Sequence, residues 1–102
     1  METEQASEIF SALGQATRLE ILKIIAPHSR GDNPPGLPAG EIGKALSLPP
    51  ATLSFHLKDM NYKGLVVTRR EGRKIYYRAN LPVLLDTLEE LITHVLEPAG
   101  AA

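Results

Sequence analysis

Two adjacent prolines, Pro49 and Pro50, decide how the middle of this chain can fold. A helix cannot run through them, because each lacks a backbone N–H and its ring crowds the preceding turn. A helix can begin on them, since the missing N–H would have had no partner there. Upstream, Pro38 suits the first turn of a helix over Ala39 to Leu46, with Ile42, Ala45 and Leu46 facing inward and Glu41 near the positive helix end. Ser47 and Leu48 are left to make the turn. Downstream, Leu53, His56, Leu57 and Met60 share one helical stripe and Ala51, Phe55, Lys58 and Tyr62 the opposite one, up to a stop at Gly64. One side of the second helix packs and the other is free, so residues 38–63 read as a helix-turn-helix.

The flanks extend this unit. Residues 4–13 place Ala6, Ile9, Phe10 and Leu13 at helical spacing before Gly14. Thr17 to Ile25 is apolar around so much of its circumference that a central, mostly buried helix is expected, ending before Pro27. From Pro27 to Pro38 runs a loop of roughly ten residues, long for a helix–helix connection, with room for a short strand near Gly36-Leu37. Leu65–Arg70 and Lys74–Arg78 are rich in β-branched and aromatic residues and are separated by Glu71-Gly72-Arg73, a hairpin signal that predicts a wing over residues 65–79. Tyr76 and Tyr77 then alternate across it, one packed and one exposed. Asn80 suits the N-cap of a last helix over residues 82–96, whose Leu84, Leu85, Leu88, Leu91, Ile92, Val95 and Leu96 cover more than one packing face requires. Residues 98–102 are expected to be a frayed tail. The fold class is mostly α with a small β-hairpin: a winged helix-turn-helix with a helix added at each end, in a single domain over residues 1–102.

Charge distribution narrows the function. The net charge of -1 hides an asymmetry: residues 58–78 hold seven basic side chains against two acidic ones, while the remainder holds four basic and ten acidic. A cationic patch on an anionic body suits a polyanionic partner, because neutralising phosphates releases counterions while the acidic remainder discourages indiscriminate binding. Cysteine is absent, which removes disulfides, thiol redox sensing and thiolate metal sites. No apolar run approaches the roughly 20 residues that span a bilayer, and Met1-Glu2-Thr3-Glu4 is the wrong start for a signal peptide. A cytoplasmic protein with no membrane partner is expected. No glycine-rich phosphate loop, nucleophile elbow or spaced set of catalytic groups is present, so no enzyme is expected.

On the free face of the second helix, Thr52 and Ser54 can reach base edges or phosphates, Ala51 and Phe55 thymine methyls, and Lys58 a phosphate or guanine. The plainer alternative is a solvated helix with one stray phenylalanine. Double-stranded DNA is preferred because the wing adds Arg69, Arg70, Arg73 and Lys74, four cations with one anion that repel one another unless a polyanion is near. A winged-helix module using Phe55 and Tyr62 to hold a protein is the alternative from another class. His56 lies on the inner face and is expected to be a packed, hydrogen-bonded histidine rather than a ligand. Ile9, Phe10, Leu84, Leu88, Leu91, Ile92 and Val95 are assigned to a homodimer interface. Two-fold symmetry then predicts a pseudopalindromic operator with half-sites about one helical turn apart.

Leu13-Gly-Gln-Ala-Thr-Arg-Leu-Glu-Ile-Leu resembles the entry motif of the arsenic-repressor (ArsR/SmtB) family of transcription regulators. Leu53-Ser-Phe-His-Leu-Lys-Asp-Met resembles its recognition helix, and Gly64-Leu-Val with Arg70-Glu-Gly-Arg-Lys-Ile-Tyr-Tyr-Arg its wing. The resemblance runs from about Ala6 to Leu96 in the family's order. It implies a homodimer, paired through its first and last helices, that represses a promoter until an inducer releases it. Pro49-Pro50 departs from the family's more usual Ser-Gln, removing two polar contacts. Metal-responsive members use cysteines, absent here, or Asp-x-His followed ten residues later by His-x-x-His/Glu on the last helix. Here Leu88 follows Asp86 where the histidine would stand, and His94-Val-Leu-Glu97 stands at a different interval. No cofactor is therefore expected; zinc or nickel on Asp86, His94 and Glu97 is the alternative, against a plain polar edge of that helix.

Overall fold

Ile21 and Ile25 lie one helical turn apart and are both fully buried, and the rest of the chain packs around them. The computed structural model describes residues 1–96; Glu97 and the expected tail lie outside the described residues. The elements run α1 (Thr3–Leu13), α2 (Ala16–Ile25), β1 (Leu37–Pro38), α3 (Ala39–Leu46), α4 (Pro50–Tyr62), β2 (Val66–Glu71), β3 (Lys74–Ala79) and α5 (Leu81–Leu91). A 3₁₀ turn, Ala26–His28, extends α2, and a π-helical turn, Ile92–Leu96, carries the last helix on from Leu91. The order is that of a winged helix-turn-helix.

One core joins all the layers: Ile9 and Ala12 of α1, Ile21 and Ile25 of α2, Ile42 of α3, Leu53, Leu57 and Met60 of α4, and Leu65, Val66 and Ala79 at the base of the wing. Three expectations change here. Ile9 is 3% exposed and belongs to this core, not to a pairing surface. Ala45 is exposed, because the short α3 turns only Ile42 fully inward. On α2, Leu19 is 46% exposed whereas Arg18 is buried at 2%, since Arg18 shares the Ile21 and Ile25 stripe and Leu19 does not.

The turn between α3 and α4 is closed by the backbone. Ser47 takes the left-handed position after α3, at φ 54°, usually given to glycine. Ser47 N–H donates to the Lys44 carbonyl at 3.4 Å and Leu48 N–H to that of Gly43 at 3.1 Å, a Schellman closure. Pro49 is the N-cap of α4 and Pro50 its first residue, as the pair of prolines predicted. Gly64 follows α4 at φ 80°.

The sheet is antiparallel in the order β1-β3-β2. The expected short strand is Leu37–Pro38, which pairs with Tyr77 and Tyr76. The wing turn is two residues, Gly72-Arg73, because Glu71 still pairs with Lys74; Gly72 at φ 64° supplies the positive φ that such a tight hairpin needs. The loop between α2 and β1 is held at both ends. Ser29 Oγ donates to the Ile25 carbonyl at 2.7 Å and accepts from Ala79 N–H at 2.8 Å. Gly36 N–H donates to the His28 carbonyl at 2.9 Å. At the wing's base, Asn80 Nδ2 donates to the Gly64 carbonyl at 2.9 Å while Asn80 Oδ1 caps α5 through Val83 N–H.

Candidate nucleic-acid interface

Helix α4 sorts its residues as its periodicity predicts. Leu53, Leu57 and Met60 are buried; Ala51, Thr52, Ser54, Phe55 and Lys58 are exposed. Phe55 at 66% and Tyr62 at 85% exposure are large apolar surfaces left in water. No side chain caps the start of α4, where Pro50 has no N–H to satisfy.

The wing lies on the same side as the start of α4. A furrow of about 330 Å³ is walled by Leu48, Pro50, Ser54, Lys44 and Tyr77. It adjoins a second of about 570 Å³, shared through Lys44 and Tyr77, that reaches Arg73 and Lys74. Lys44 of α3 therefore stands between α4 and the wing tip. Sequence reasoning did not single it out: nothing in Gly-Lys-Ala distinguishes a furrow lysine from any other exposed one.

The wing cations divide into two kinds. Arg69 is engaged within the chain: its guanidinium pairs with Glu71, donates to the Pro35 carbonyl at 2.9 Å, and lies 4.3 Å from the centre of the Tyr76 ring. This also places the tyrosines. Tyr77 turns to the core side and packs against it, and Tyr76 faces the other way beneath Arg69 rather than standing free. Arg70, Arg73, Lys74 and Lys58 are exposed, and none of them has a carboxylate within ion-pair distance among the described residues.

On the side of α4 away from its exposed face, Arg18 of α2 reaches across to the helix. Its Nη1 donates to Asp59 Oδ2 at 2.6 Å and to the Ala12 carbonyl of α1 at 3.5 Å, and its Nε donates to His56 Nδ1 at 3.1 Å. His56 is thus the packed, hydrogen-bonded histidine that was expected. Burial lowers its pKa from the ordinary 6.5, as does the Arg18 charge, while Asp59 opposes both. A buried guanidinium was not anticipated, although Arg18 sits inside the quoted Thr-Arg-Leu motif.

On α5 and the π-helical turn that continues it, Leu85, Leu88, Ile92, Val95 and Leu96 are 47–70% exposed. At spacings of three and four residues, Leu85, Leu88, Ile92 and Val95 form one apolar strip. Leu84 packs against the core, so of the residues assigned to pairing it and Ile9 serve the chain's own interior. Leu91 and Phe10 line a groove of about 340 Å³ between α1 and α5. Asp86 is exposed, and His94 is exposed with Glu90 3.8 Å away. No group of three metal-ligating side chains is gathered among the described residues, from which Glu97 is missing.

No model of a known protein family matches the chain. Individual relatives do. The chain is 34% identical to an uncharacterized HTH-type transcriptional regulator of Methanocaldococcus jannaschii, over 92% of this chain and 94% of that one. It is 32% identical to the arsenical resistance operon repressor of Staphylococcus aureus, over 89% and 81%. Among solved structures it is similar to an ArsR-like transcriptional regulator from Rhodococcus, with TM-score 0.73 and 27% identity over 86% of this chain and 76% of that one. It is also similar to a homodimeric winged helix-turn-helix DNA-binding domain from Mycobacterium bovis, with TM-score 0.66 and 28% identity over 92% and 83%.

Proposed function

The chain belongs to the arsenic-repressor (ArsR) family of winged helix-turn-helix transcriptional regulators, and on that premise we propose that it acts as a homodimeric repressor reading a pseudopalindromic operator. The observation that supports this best is the single face formed by the exposed side of α4, the furrow lined by Lys44, and the unpaired cations of the wing. In this reading Thr52, Ser54, Ala51 and Phe55 meet base edges in the major groove, with Lys58 beside them. Lys44, Arg70, Arg73 and Lys74 neutralise phosphates on either side. Arg69 acts at one remove, by stiffening the wing against the loop.

Pairing rests on α5. Its apolar strip has no cover among the described residues, and a two-fold axis beside it would bring identical strips together with α1 alongside. The similar domain from Mycobacterium bovis is a homodimer and the similar Staphylococcus aureus protein a repressor. Two recognition helices would then enter successive major grooves on one side of the duplex, roughly 34 Å apart.

Selection from random duplexes tests the reading directly. It should return an inverted repeat with half-sites about 10 base pairs apart. Affinity for that duplex should fall steeply with salt, and Arg73→Ala should reduce the log–log slope by about 1. Recovery of no enriched sequence, or an affinity indifferent to salt, would sink it. The reading includes no metal. Zinc or nickel binding tighter than about micromolar, abolished by His94→Ala, would instead add a sensor site on the last helix.

A further inference from the structure

The outer face of α4 is exposed, and on the opposite side a polar tie joins the helix to the body beside its apolar contacts. Arg18 is 2% exposed and its three partners come from two other helices: the Ala12 carbonyl from α1, and His56 and Asp59 from α4. Asp59 and His56 lie three residues apart on one helical face, so a single planar guanidinium grips both and fixes the rotation of α4 about its axis. The apolar contacts of Leu53, Leu57 and Met60 are adaptable by comparison, since hydrophobic burial has no preferred direction.

The tie depends on one lone pair. Arg18 Nε is a donor and has no acceptor capacity, so His56 Nδ1 must be an acceptor, which requires a neutral ring carrying its proton on Nε2. A second proton, on Nδ1, would set a donor against a donor and a cation against a cation. The charged groups acting on the ring are Arg18 from α2 and Asp59 from α4, with Lys63, just past the end of α4, 3.9 Å from Asp59 on its far side. Asp59 partly offsets the repulsion, but its Oδ2 is already committed to Arg18 at 2.6 Å.

We infer that Arg18 is a positioning residue for DNA binding, holding the recognition helix through His56 and Asp59, and that protonation of His56 releases this hold and weakens DNA affinity. The inference rests on α4 being the DNA-reading element. Its sign is diagnostic. Acidification makes the protein more positive and by itself would tighten binding to a polyanion, so a loss of affinity on acidification reports the tie and not the general charge.

The experiment measures affinity for the selected duplex from roughly pH 8 to pH 5 at constant ionic strength, a range in which an ordinary histidine changes charge. The wild-type protein is expected to lose about tenfold in affinity across this range. In His56→Asn, whose side-chain oxygen stands near the place of Nδ1 and takes up no proton, that loss should vanish or reverse. His28→Gln and His94→Gln should keep the wild-type profile, both residues being exposed. Arg18→Lys, which cannot span both acceptors, should weaken binding at every pH; because it could also perturb folding, nitrogen NMR of the histidine ring gives an independent readout. That spectrum should show the Nε2–H tautomer at pH 8. A proton on Nδ1 at that pH, or the same pH profile in wild type and His56→Asn, overturns the inference. Absence of DNA binding at any pH would instead count against the proposed function itself.

Discussion

At the scale of single residues, Arg18 matters most and was least visible. Taking a guanidinium out of water is tolerable only when its donors find acceptors, and Arg18 finds them on α1 and α4. Arg18→Met should therefore destabilise the fold by about 1–3 kcal/mol in urea unfolding; the lower part of that range is expected because Asp59 is 34% exposed and can be rehydrated. Burial of His56, with the Arg18 charge beside it, also sets a pH dependence of stability. The unfolded chain takes up a proton on His56 near 6.5, whereas the folded chain, with its lowered pKa, resists it. The stabilisation is thus complete above that value and declines as pH falls through it toward the folded pKa. Unfolding midpoints should drop over this interval, and less so in His56→Asn. Ordinary core positions behave more simply: Ile42→Ala, at a fully buried site, should cost about 2–5 kcal/mol, while Ala45→Ser on the exposed side of α3 should stay within about 0.5 kcal/mol.

At the scale of elements, most of the order could be read from the chain because periodicity and breakers agree. Pro49-Pro50, Gly64 and Asn80 mark real ends, and the alternation of Leu53, Leu57 and Met60 with exposed neighbours is the observed sorting of α4. What could not be read were contacts between distant segments. Arg18 and His56 are 38 positions apart, and an arginine in an apolar stripe gives no local sign of its acceptor. Likewise nothing in the sequence separates Arg69 from the other wing cations, because its partners, the Pro35 carbonyl and the Tyr76 ring, come from other parts of the chain. Ile9 fell to the core for a similar reason: an amphipathic helix shows which face is apolar, not whether its own chain or another covers it. The pairing of β1 with β3 depends on a single glycine. A Cβ at Gly36 would lie 2.8 Å from the Tyr77 carbonyl oxygen at a φ of +72°, so Gly36→Ala should destabilise by more than about 1 kcal/mol. Gly40→Ala, with nothing within 4 Å of the added carbon, should be neutral or stabilising when both variants are compared by urea unfolding.

At the scale of the whole molecule, two groups of large apolar side chains left exposed among the described residues lie on different elements: Phe55 and Tyr62 on α4, and Leu85, Leu88, Ile92, Val95 and Leu96 on the last helix. The proposal assigns the first to DNA and the second to a second copy. If so, Leu88→Lys should shift the protein from dimer to monomer in sedimentation and weaken operator binding, while Phe55→Ala should weaken binding and leave the dimer intact. The loop between α2 and β1 has a practical consequence of its own. Its ends are fastened by Ser29 and Gly36, and Gly31, Asp32 and Asn33 between them are exposed. The entropy of closing a loop grows only with the logarithm of its length, about 0.6 kcal/mol per doubling. The segment between the two fastenings is therefore a natural insertion point, where a reporter peptide or a foreign recognition loop could be carried on the body of the protein without passing through either α4 or the last helix.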